Sequence, residues 1–244
     1  MATATNAAQA GPSAQTVAIG LETNCNPCGV TGAGTGLRNR ESGTITLTGV
    51  PEGATVGRAV LVWGILHDGS TPPNTVTFQG TPVSADVSAK PSGTLCWNDQ
   101  GTMGYAADVT SLVAGNGTYT VSNPPRGSTR PDENPYGDIP LTDGASLVVF
   151  YVGGGSNAQV RSDFSFDTNT DDDSKILRTF GDFTSVGGPA SLLLVGADGQ
   201  SNASESIEFR GPPTVTPAAP SMAATRSRAR RSASEASGIP ISTT

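Results

Sequence analysis

The sequence predicts an all-β protein: a two-layer antiparallel β-sandwich, jelly-roll-like, followed by a disordered C-terminal tail. Three observations carry this expectation. Glycine (31) and proline (18) make up about a fifth of the 244 residues, and charged residues only 14%. Helical proteins are richer in Glu, Lys, Leu and Arg. Short runs of β-branched and aromatic residues recur between turn signals, at the spacing of sandwich or barrel strands. No stretch longer than one or two turns shows the 3.6-residue period of an amphipathic helix.

Taken in order, residues 1–15 are rich in Ala, Thr, Gln and Ser and are expected to be a flexible N-terminus. Residues 16–211 form the expected sandwich domain, with a first strand at 16–21. The glycine-rich stretch 29–40 reads as a loop. Residues 44–48 alternate Thr with Ile or Leu, the period-2 pattern of a half-buried strand, and Pro51-Glu52-Gly53 then turns the chain. Residues 58–66 (RAVLVWGIL) are apolar at nearly every position, which predicts a central strand covered on both faces. Around Gln79-Gly80, residues 75–78 and 81–87 read as a hairpin.

Residues 104–108 lead into Val109-Thr110-Ser111-Leu112-Val113, a single helical turn whose free amides Asp108 or Thr110 can cap. Gly115-Asn116-Gly117 turns the chain into a strand at 118–122. A long polar loop with five prolines occupies 124–140. Residues 146–152 (SLVVFYV) are a second buried strand, 160–166 an edge strand, and 167–174 an acidic turn. Further strands are expected at 176–183, 191–195 and 206–209. From Pro212 to Thr244 the chain becomes Pro/Ala/Ser/Thr-rich and then arginine-rich, a disordered tail or linker with too little apolar surface to offset its ordering entropy.

That tail carries four Arg and one Glu, so the net charge of −7 leaves −10 on residues 1–211. An acidic body repels phosphate backbones, so nucleic acid is not an expected partner. No run of about 18 apolar residues is present, so no membrane span is expected. Residues 1–6 show neither the basic nor the apolar part of a secretory leader. Lysine is scarce (Lys90 and Lys175) and Thr, Asn and Gly are abundant, which points to an extracellular or cell-surface setting.

Three stretches together carry a resemblance: Ala59-Val60-Leu61-Val62-Trp63-Gly64; Asp108-Val109-Thr110 through Gly115-Asn116-Gly117 to Val121; and Asp143-Gly144-Ala145 through Tyr151. They resemble a β-sandwich domain of bacterial and archaeal secreted or surface proteins, the DUF3344-like group. Gly196-Ala197-Asp198-Gly199 and Ser206-Ile207-Glu208-Phe209 are similar to its closing part. The resemblance covers roughly residues 45–211. The middle stretch is also similar to sugar-binding jelly rolls attached to glycosidases. The resemblance implies a fold and a surface setting, and brings no family active site with it.

The candidate sites are few. The single histidine, His67, precedes Asp68 at the end of a strand and is expected to be solvated. No G-x-S-x-G elbow accompanies it, and no enzyme activity is expected. Cys25-Asn26-Pro27-Cys28 is a C-x-x-C, and Cys96 stands apart. These three cysteines predict either a disulfide, within the motif or to Cys96, or a zinc set completed by His67. Asp167, Asn169, Asp171 and Asp173 gather hard oxygens in one turn and form a candidate calcium loop. Asp172 at the sixth position and Arg178 at the twelfth exclude an EF-hand, and Asp163, Asp198 or Glu205 would complete the site. Trp97, beside Asn98, Asp99 and Gln100, and Tyr136 in the long loop are candidate sugar-stacking residues.

The expected function is a non-enzymatic structural or adhesion module whose partners are its own copies or other surface proteins, associating by strand pairing. The alternative is a carbohydrate-binding module for polysaccharide, assisted by calcium.

Overall fold

Most of the described strands form one antiparallel ribbon rolled up into two sheets. In the computed structural model the described residues are 24–38, 40–67, 71–89, 101–126, 140–162, 191–194 and 239–242. The strands are β1 (Asn24–Gly36), β2 (Ser42–Leu47), β3 (Ala54–His67), β4 (Thr75–Phe78), β5 (Thr81–Ser84) and β6 (Val87–Ala89). They continue as β7 (Gly101–Asp108), β8 (Gly117–Ser122), β9 (Leu141–Gly153), β10 (Ala158–Arg161), β11 (Ser191–Leu194) and β12 (Ile239–Ser242). Between β7 and β8 lies a single 3₁₀ turn, Thr110–Leu112.

Every pairing among the described residues is antiparallel. The larger sheet has six strands in the order β10-β1-β9-β3-β7-β6, the smaller has four in the order β2-β8-β4-β5, and β11 pairs with β12. The pairs β1/β9, β2/β8, β3/β7 and β4/β5 are the successive rungs of the ribbon. Rolling the ribbon brings β9 beside β3 in one sheet and β8 beside β4 in the other. This eight-stranded winding is a jelly roll, to which β10 and β6 add one strand at each border of the larger sheet. The expected all-β sandwich is thus the observed fold.

The core lies between the sheets. Ala59, Leu61, Trp63 and Ile65 alternate inward from β3, with Leu147 and Val149 from β9. They meet Ile45, Leu47, Val76, Phe78, Tyr119 and Val121 from the smaller sheet. A fully buried side chain of this size contributes about 1.5–3 kcal/mol. The intervening residues point the other way, and Val60, Ala106, Val148, Phe150 and Val160 form a second buried cluster against which Leu193 of β11 packs. Both faces of β3 are therefore covered, as its unbroken apolar run predicts.

The glycine-rich run from Gly29 to Gly36 is not a loop, as its composition suggests, but most of β1, paired with β9 from Gly29 opposite Tyr151 to Gly36 opposite Gly144. The physical reason is close approach: a Cβ on Gly29 would collide with the ring of Tyr151. The hairpin between β4 and β5 forms at the expected turn, but its second arm ends at Ser84 and not at Val87, which begins β6 and pairs with Ala106 of β7 in the larger sheet. Gln79 and Gly80 both take positive φ, 51° and 78°, the signature of a type I′ turn. The strands expected at 16–21, 176–183 and 206–209 and the flexible 1–15 lie outside the described residues. So does 212–238 of the expected tail. Residues 239–242 of that tail form β12, with Ile239 opposite Leu194.

Candidate functional site

Polar side chains tie the crossovers to the strands they span. The carboxylate Oδ1 of Asp108 accepts the Thr110 amide at 2.9 Å and the Thr110 hydroxyl at 2.6 Å. Its Oδ2 pairs with Arg58 Nε at 3.3 Å. The Asp108 amide donates to Asp86 Oδ2 at 2.7 Å, and Thr110 Oγ1 accepts the Ala59 amide at 2.9 Å. Asp108 therefore serves the helical turn as expected, and it also locks β7 to β3. Burial pushes the Asp108 carboxyl up, but the Thr110 hydroxyl and amide and the Arg58 guanidinium outweigh it and hold it below the usual carboxylate range.

One turn later, Asn116 extends the backbone ladder with its side-chain amide. Its Nδ2 donates to Val50 O at 2.6 Å and its Oδ1 accepts the Val50 amide at 2.8 Å. Tyr119 Oη donates to Gly115 O at 2.6 Å, closing the Gly115-Asn116-Gly117 turn. At the hairpin tip, Gln79 Oε1 accepts the Thr120 amide at 2.7 Å. Thr110 apart, the partners of Asp108, Asn116 and Gln79 lie far away along the chain, so Arg58, Asp86, Val50 and Thr120 gave no local signal of these roles.

One end of the larger sheet holds His67. His67 ends β3 opposite Gly101, and Leu66 lies opposite both Thr102 and Leu141. His67 is 2% exposed, not solvated as its strand-end position suggests. Gly101 makes the room: a Cβ there would lie 2.5 Å from the His67 ring. Nearby, Trp63 stacks on Tyr105 with ring centroids 5.6 Å apart. Tyr105 Oη donates to Pro72 O at 2.9 Å, and burial pushes its phenol pKa up. Thr142 Oγ1 donates to Pro125 O at 2.7 Å, and Arg126 forms an ion pair with Glu41 at 2.8 Å.

Described residues on this rim flank the segments that bear the sugar-stacking candidates. Segment 90–100, with Cys96 and Trp97, joins Ala89 (opposite Gly104) to Gly101 (opposite His67). Segment 127–139, with Tyr136, leaves from Arg126, which bridges to Leu141. Cys96, Trp97 and Tyr136 themselves lie outside the described residues.

The opposite end holds the cysteine motif. Cys25 and Cys28 form a disulfide, with Cα atoms 5.7 Å apart. It spans a bulge in the β1/β10 pairing, where Cys25 faces Val160 and Cys28 faces Ala158. Pro27, which has no amide to donate, lies in that bulge. Ser156 Oγ donates to Cys28 O at 2.5 Å. The expected alternative, a zinc set joining this pair to His67, fails on register. Gly29 lies opposite Tyr151 and Leu66 opposite Leu141, ten residues along β9 or about 33 Å. The calcium candidates Asp167, Asn169, Asp171 and Asp173 follow β10 and lie outside the described residues. Among the described residues no three His, Cys, Asp or Glu side chains converge on a metal position. No helix among them is long and apolar enough to cross a membrane.

The described residues together define a jelly-roll sandwich with braced crossovers. Compared with family models, curated proteins and solved structures, the chain matches none.

Proposed function

We propose that the chain is a non-enzymatic structural or adhesive module, extracellular or on the cell surface, that associates through its sheet edges. The observation that carries this reading is the Cys25–Cys28 disulfide closing the β1/β10 border of the larger sheet. Structural disulfides persist in oxidising compartments outside the cytosol. The bracing of the crossovers supports the same reading. Asp108, Thr110, Asn116, Tyr119 and Gln79 all hold backbone in place, which suits a body that presents edges and loops. A membrane-impermeant biotin reagent applied to intact source cells is expected to label the chain. Labelling only after lysis would overturn the reading.

A second reading has one observation in its favour. The described residues beside the two segments that carry Trp97 and Tyr136, Ala89 and Gly101 for one and Arg126 and Leu141 for the other, belong to the same end of the larger sheet as His67, which supports a polysaccharide site drawing on both segments. Trp97→Ala is expected to abolish retention on insoluble polysaccharide. Unchanged retention removes Trp97 from the site. If calcium assists, through Asp167, Asn169, Asp171 and Asp173, a chelator lowers retention as well.

A further inference from the structure

Among the described residues, four strands border the two main sheets: β10 and β6 on the larger, β5 and β2 on the smaller. Exposed edges invite pairing with other chains, and short length, charge and proline are the usual protections. The strand β6 has three residues. The strand β10 has four. The strand β5 has four and includes Pro82. The strand β2 differs: six residues, Ser42-Gly43-Thr44-Ile45-Thr46-Leu47, with neither charge nor proline. One side of it pairs with β8 at every position from Ser42 to Leu47, and among the described residues nothing pairs with the other. Its Thr44 and Thr46 are exposed, while Ile45 and Leu47 are buried over the core.

We infer that a second copy of this chain adds antiparallel along the free side of β2, joining the two smaller sheets into one sheet of eight strands. This rests on the strand-associating reading above and names its partner and register. Apolar faces coincide only in registers that keep the period of two. Centring the pair on Ile45 sets Ile45 against its counterpart and Thr44 against Thr46 of the second copy, a favourable cross-strand pair. It also sets Glu41 against Gly49. Centring it on Thr44 would set Glu41 against Leu47, a charged residue against a buried apolar one. Net charge favours the same stretch: two bodies of −10 repel, and this neutral strand lets them meet without like charges opposed.

The test uses the full chain in sedimentation velocity and light scattering over a range of concentrations. The wild type is expected to dimerise. Thr44→Lys with Thr46→Lys opposes like charges across the axis and is expected to give a monomer with an unchanged circular dichroism spectrum. Thr44→Glu with Thr46→Glu behaves the same way alone. An equimolar mixture of the two variants restores a mixed dimer, a result that misfolded variants would not give. A wild type that stays monomeric, or a lysine variant that dimerises as the wild type does, overturns the inference. Either result leaves the biotin labelling of intact cells unaffected, so the pairing and the surface setting fail separately.

Discussion

Asp108 shows how much one carboxylate can hold. It takes the first amide of the 3₁₀ turn, a threonine hydroxyl and a guanidinium, and so joins β7, the turn and β3. Because its pKa is lowered on folding, its contribution is complete above the pKa of the unfolded carboxyl, near 4. That contribution is lost as pH falls through the lower folded value. Asp108→Asn is therefore expected to destabilise at neutral pH and to flatten the acid limb of a plot of urea midpoint against pH. A limb as steep as the wild type's would show that other carboxylates govern it. Gly101 has the opposite character, important for what it lacks. Gly101→Ala drives a methyl into the ring of a buried histidine and is expected to cost about 1–3 kcal/mol in denaturant unfolding. The Asp108 contact with Thr110 was legible in the sequence, because Asp-Val-Thr is a local pattern. The burial of His67 was not, because the room for it comes from a glycine on another strand.

At the scale of elements, strands whose side chains alternate or run apolar were legible. The runs at 58–66 and 146–152 lie within β3 and β9, and the Gln79-Gly80 turn lies where its chemistry placed it. The strand β1 was hidden because glycines carry no side chains from which a period can be read. Its pairing is dictated by β9 and by the Tyr151 ring. The hairpin offers the cleaner test of local chemistry. Gly80 has φ of 78° and open space around its absent Cβ, so Gly80→Ala meets only backbone strain. The expected cost is roughly 1–2 kcal/mol by urea denaturation. A neutral result would mean that the turn relaxes to another type.

For the whole molecule, the fold class was legible and the winding was not. Composition and strand spacing lead to a sandwich, but the rungs β1/β9 and β2/β8 are long-range pairings that no local window contains. The winding likewise joins what the sequence keeps apart, bringing Gly101 and Leu141 to the His67 end of the larger sheet while the disulfide sits at the other. The same winding sets an order of events during synthesis. The strand β1 leaves the ribosome before every other described strand, yet both of its neighbours, β9 and β10, lie more than a hundred residues downstream. A strand that waits so long with open edges is exposed to the wrong partners. Its glycine-rich sequence, poor in apolar side chains, offers them little to hold, and so lets the first of the described strands be among the last to find its place.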